Sequence, residues 1–139
     1  MARPAVPPHA VTFLADTYAL VWHLMDEKRL GKAARRAFRS ADRGGTLCYV
    51  PAIALVEIAL LYEKGRLRTG PAQVAEALAA HDGYAILALD LEQALGFSSL
   101  PAVRDPMDRL ILAAARAVGA QLVSADEALD GHGVERVWE

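Results

Sequence analysis

"RDPMDRLILAAARAVGAQLVSAD", residues 104–126, contains a helix start, a helix stop, a strand and a closing aspartate in one run. Asp105 ahead of Pro106 reads as an N-cap followed by proline at the first helical position. Asp108 then falls at the third helical position, where a capping box puts an acid or its amide. The apolar run after it has the length of a long helix, and Gly119 is the usual left-handed stop. "AQLVS" (120–124) has the composition of a short buried strand, and Asp126 stands at its exit.

The same alternation repeats upstream. "VTFLAD" (11–16) reads as a strand running into Asp16, and "TYALVWHLM" (17–25) as the helix after it. Leu30, Ala33, Ala34, Ala37, Phe38 and Ala41 recur at the i, i+3, i+4, i+7 spacing of one helix face. "TLCYV" (46–50) is a second strand, and Pro51 opens a helix running through "AIALVEIALLYEK" to Gly65. A helix is expected after Pro71, a strand at "YAILAL" (84–89), and a short helix from about Leu91. "GFSSLPAVR" (96–104) reads as a loop from its Gly, Ser and Pro content. "VERVW" (134–138) adds a possible edge strand. Strands separated by helices of this length imply a three-layer α/β/α domain around a parallel sheet of four to five strands.

The bulk properties suit that fold. The hydrophobic fraction is 54% and the aromatic fraction 6%, so the core is built of Ala, Leu, Val and Ile. The 139 residues suffice for one domain, expected over 11–139 behind a flexible proline-bearing arm at 1–10. No apolar run approaches the roughly 20 residues of a membrane helix, and the single cysteine, Cys48, excludes an internal disulfide. A cytoplasmic protein without membrane contact is expected.

Acidic positions carry the chemistry. Asp16 and Asp126 each follow a strand, and ligands of open α/β sheets bind outside the carboxyl ends of the strands where strand order reverses. Each alone is also an ordinary turn residue. Glu57 stands within the apolar helix "AIALVEIALL", where an unpaired carboxylate costs several kcal/mol and demands a basic partner, hydrogen-bond donors or a metal. Capping accounts for Asp105 and Asp108 individually, at about 1 kcal/mol for the cap. It does not account for acids recurring at strand ends and on apolar helices. Carboxylates converging on one point repel unless a cation joins them, and oxygen-only ligation favours Mg2+ or Mn2+. Such a metal with open positions for water is the apparatus of phosphodiester hydrolysis. The four histidines are scattered without ligand spacing, and no Gly-rich phosphate loop is present.

These segments resemble the PIN domain, and within it the VapC ribonuclease toxins of toxin–antitoxin pairs. "VTFLADTYALVWHL" is similar to their opening strand, aspartate and helix, and "VPAIALVEIALLYEKGRL" to their second acidic motif. "LPAVRDPMDRLILAAARAVGAQLVSAD" is similar to their Arg-Asp-Pro-Phe-Asp-Arg subgroup. The resemblance implies a PIN-like fold and a metal-binding catalytic quartet of Asp16, Glu57, Asp108 and Asp126. Asp105 matches the subgroup's extra aspartate, with either a metal or a capping role. Thr17 and Ser124 match hydroxyl positions that support the metal or its water. It further implies Mg2+ (Mn2+ as alternative), RNA cleavage, a homodimer and an antitoxin protein partner. Val103, Met107, Pro51 and Ala125 depart from the common residues at their positions without removing a ligand.

Seven of the fifteen basic residues lie between 28 and 43, among them Lys32, Arg35, Arg36, Arg39 and Arg43 on the side opposite the apolar face. They offer either a phosphate-binding surface or a merely solvated helix face. Trp22 and Trp138 offer rings for base stacking or for packing. A signalling receiver domain is disfavoured by the absence of any lysine after Lys64, and an Asp-x-Asp phosphatase by Tyr18. A non-catalytic PIN-like RNA- or protein-binding module remains the alternative to a ribonuclease.

Overall fold

Alternation along β1 (Thr12–Ala15) divides the molecule into two cores. Phe13 and Ala15 join one apolar cluster and Leu14 the other, as the two-residue period of a strand requires. β2 (Leu47–Pro51) and β4 (Gln121–Val123) repeat the division: Cys48, Val50 and Val123 face the first cluster, Tyr49 and Leu122 the second. With β3 (Tyr84–Leu87) and β5 (Arg136–Val137) they form a five-stranded sheet of order β3-β2-β1-β4-β5, parallel at every pairing. The coordinates are a computed structural model and describe residues 10–139. The arm expected over 1–10 therefore lies, Ala10 apart, outside the described residues.

Helices cover both faces. α1 (Thr17–Met25), α2 (Lys32–Asp42), α3 (Ala52–Glu63) and α4 (Pro71–Ala79) supply the first core with Leu20, Phe38, Ile58 and Val74. α6 (Pro106–Val118) builds the second with Ile111, Leu112 and Ala114, and α5 (Leu91–Ser98) packs against α6. The expected three-layer α/β/α architecture is therefore observed. α2 buries Ala34, Ala37, Phe38 and Ala41, the face its spacing called for. Gly119 closes α6 in the left-handed conformation at φ 66°, which an L side chain adopts only at a cost.

Two local expectations differ. Pro51 is the last residue of β2, in register with Leu87, and caps α3 instead of opening it. A strand end is a place where the missing proline N–H costs little. The segment from Gly96 is not yet loop: α5 continues to Ser98, with the position of a Gly96 β-carbon 3.6 Å from that of Ala113. Packing on α6 outweighs the weak helix propensity of Gly and Ser.

The chain builds β1, β2 and β3 outward on one side, then crosses back to lay β4 on the other side of β1. The reversal of strand order thus lies between β1 and β4, which pair directly. The Asp16 N–H donates to the Val123 carbonyl at 3.1 Å, continuing that pairing past the strand end. At the opposite end of the sheet, a methyl group at Gly83 would fall onto the backbone carbonyl of Ala41. Gly83→Ala is expected to cost about 1–3 kcal/mol, seen as a lower urea midpoint at unchanged slope.

Candidate metal centre

Asp16 leaves β1 and caps α1, its Oδ1 accepting the Ala19 N–H at 2.8 Å. Asp126 follows β4 across the strand reversal and caps a 3-10 turn (Glu127–Leu129), accepting the Ala128 N–H at 3.0 Å. Fully buried Ser124 ties the two together. Its hydroxyl donates to the Asp16 carboxylate and accepts the Asp126 N–H at 3.1 Å. Asp105 caps α6 through one oxygen, which accepts the N–H groups of Met107 at 2.8 Å and Asp108 at 3.1 Å. Glu57 lies midway along α3, and Asp108 in the first turn of α6, both half-buried.

All five acids line one cavity of about 520 Å3, completed by Tyr18, Trp22 and Ala125. No Lys, Arg or His is part of that lining. The described residues also give Glu57 no basic partner, which removes the structural ion pair that could have explained its place in an apolar helix. The side chains are not drawn tightly together. Among the described residues, no three acidic, His or Cys groups stand as a ready-made ion cage. Repulsion among carboxylates favours that spread.

The electrostatics reflect this crowding. The Asp16 carboxyl is pushed up to about 6, by burial first and by the charges of Glu57 and Asp126, against the hydrogen bonds from Ser124 and Ala19. Asp108 is likewise raised to about 6, by burial and then by Asp105, Asp126, Glu57 and Asp16. The neighbouring carboxylates therefore disfavour the ionisation of Asp16 and Asp108, and a cation would relieve that repulsion. Thr17, buried beside Asp16, has a hydroxyl without a hydrogen-bond partner among the described residues. An all-oxygen acidic set with a spare hydroxyl beside it fits a hard divalent cation.

The basic residues of α2 are elsewhere. Lys32, Arg35, Arg36, Arg39 and Arg43 do not line the acidic cavity. Arg35 and Arg39 lie 3.8 and 3.2 Å from the Glu27 carboxylate. Sequence reasoning did not single out two arginines that hold the site's loops. Arg109 donates to the Val103 carbonyl at 2.8 Å and lies 4.5 Å from the centre of the Phe97 ring, fixing the approach to Asp105. Arg136 binds the Ser124 carbonyl at 3.1 Å and Asp130 at 2.8 Å, bracing the turn that carries Asp126. The Arg109 position inside the quoted acidic motif was the available signal; Arg136 had none.

The fold and site are those of a parallel α/β/α protein with an acidic cleft at its strand reversal. The profile of the PIN domain matches residues 13–133, and the chain belongs to the PIN-domain family. Its fold is similar to that of VapBC2 from Rickettsia felis bound to a promoter DNA fragment, at 13% identity and a TM-score of 0.67, covering 93% of this chain and 100% of that one. VapBC from Salmonella typhimurium gives 15% and 0.62, with 91% and 96% covered. The sarcin-ricin loop cleaving toxin VapC20 from Mycobacterium tuberculosis gives 18% and 0.59, with 88% and 95% covered. Direct sequence comparison with curated proteins yields no match. Among the described residues, no helix is long and apolar enough to cross a membrane.

Proposed function

We propose that this PIN domain, a single unit over 11–139, is a Mg2+-dependent endoribonuclease and the cytoplasmic toxin of a type II toxin–antitoxin pair. The observation that carries the reading is the convergence of five acids on one cavity without a basic residue in its lining. Asp16, Glu57, Asp108 and Asp126 would hold Mg2+, with Mn2+ as a substitute and Asp105 at the rim. The ion, when bound, supplies an activated water and charge neutralisation for phosphodiester hydrolysis. Ser124 orients Asp16 and the backbone of Asp126, and the Thr17 hydroxyl is placed to support the ligand shell. The caps at Asp16, Asp105 and Asp126 fix three carboxylates on the starts of helical turns, which pre-organises them. The basic side of α2 would attract the RNA backbone, with Lys32 and Arg36 free of the Glu27 pairing.

Similarity in fold to antitoxin-bound proteins supports a protein partner that covers the cleft. A second copy of the chain is supported by exposed leucines on α5, Leu91 at 73% and Leu95 at 65% exposure, which a lone monomer would leave in water. Expression in a bacterial host is expected to arrest growth, with relief on co-expression of the adjacent small gene. Purified chain is expected to cleave RNA with Mg2+ and to stop on chelation. RNA binding without turnover, across a broad panel and with Mn2+ tried, would instead establish the non-catalytic module.

A further inference from the structure

A second cavity of about 270 Å3 adjoins the acidic one, and Tyr18 and Trp22 of α1 line both. Its chemistry is different. Leu61 of α3 and Leu67 contribute an apolar wall, and two arginines, Arg29 and Arg66, share the lining with one carboxylate, Asp26. The Arg29 guanidinium lies 4.4 Å from the centre of the Trp22 ring, a cation–π contact that positions a long side chain. Trp22 is itself fixed by Trp138, with ring centres 5.8 Å apart. Tyr18 is 46% exposed, an aromatic face left in water beside the acids.

An aromatic platform beside an apolar wall, with two arginines against the single carboxylate of Asp26, matches one nucleotide: a base to stack and a phosphate to pair. We propose that this cavity is a nucleotide subsite that holds the residue next to the scissile phosphate of a single-stranded RNA. The base stacks on Tyr18 against the Trp22 edge, and Arg29 and Arg66 take the adjoining phosphate. Continuity with the acidic cavity sets the position, since a chain leaving the carboxylates passes over Tyr18. Positive charge here also offsets the repulsion between RNA and the acids next door. Stacking tolerates any base, so the subsite sets where the strand lies more than which base it carries. This inference rests on the ribonuclease reading and assigns the substrate path of the same site.

The test uses the full chain carrying Asp108→Asn, so that RNA is bound without being consumed, and a fluorescein-labelled single-stranded 10-mer read by anisotropy. Tyr18→Leu keeps apolar bulk and removes the stacking face. It is expected to raise Kd by roughly 5-fold to 100-fold. An abasic residue walked along the 10-mer should reproduce that loss at one position, and Tyr18→Leu should then add nothing. Arg66→Gln, at an exposed position, should flatten the salt dependence of log K by about one unit of slope. Unchanged Kd and salt slope in both variants would overturn the subsite, as would an equal Tyr18→Leu penalty with every abasic RNA. Variants that weaken capture of the antitoxin protein alone would assign the cavity to a protein side chain and also overturn it. Loss of binding in the variants, with no cleavage by the unsubstituted chain, would uphold the subsite and remove the nuclease reading.

Discussion

Asp108→Asn is expected to abolish Mg2+-dependent RNA cleavage while leaving the fold at least as stable as before. The side chain faces four other carboxylates and is raised to about 6 by burial and by their charge. Replacing it with a neutral isostere removes one member of a repelling group, so a metal-free melt at neutral pH should rise or stay level. Losing one anionic ligand should remove several kcal/mol of transition-state stabilisation, roughly a hundredfold to ten-thousandfold in rate. Asp105→Asn is the matched control. Asparagine accepts the same two backbone N–H groups as Asp105 does, so α6 keeps its cap. Activity retained in Asp105→Asn and lost in Asp108→Asn separates capping from ligation along one turn of helix. Cleavage surviving Asp108→Asn would sink the proposed quartet.

Without divalent cation, stability is expected to fall as pH rises from 4 to 7. Asp16 and Asp108 both sit near 6, against an ordinary value of 3.8. The folded chain therefore holds more protons than the unfolded one between these values. Stabilisation from this source is complete below about 3.8 and is lost as pH rises through 6. Asp16 is largely enclosed and Asp108 more exposed, so the contributions are about 2 and, after discounting for solvent, about 1 kcal/mol. That corresponds to a Tm lower by roughly 5–10 °C. On the proposed reading Mg2+ would bind the ionised carboxylates, so its stabilising effect should be larger at pH 7 than at pH 5. Asp108→Asn should flatten the pH dependence. A Mg2+ increment equal at both pH values would contradict this account.

Much of the sheet and the acidic set was legible because it depends on local signals. Asp16 and Asp126 end β-rich runs, and Asp105 carries its proline beside it. Glu57 stood out because the helix around it is apolar on every side. The resemblance to PIN-domain motifs added order and spacing to these positions. What local signals could not give is partnership across the chain. Glu27 engages Arg35 and Arg39 and so divides a basic cluster that looked uniform. Trp22 meets Trp138 from the far end of the sequence, and Arg66 reaches the same cavity from the connection after α3. Gly96 stays helical for a tertiary reason, its contact with α6. Pairings of this kind follow from topology, which periodicity does not encode.

The double use of Asp16, Asp105 and Asp126 as helix caps has a consequence for descent. In a lineage that stopped using the cleft, these three would drift toward Asn or Ser, because losing the cap costs about 1 kcal/mol. The cap bonds of α6 run to Asp105 and not to the Asp108 side chain, and Glu57 lies mid-helix, so these two are under less restraint. They would turn apolar first, relieving repulsion and burying surface. Relatives that keep aspartate-like residues at the turns while Glu57 and Asp108 become Leu or Ala would therefore have lost the proposed activity with their folds intact, recognisable from those two positions alone.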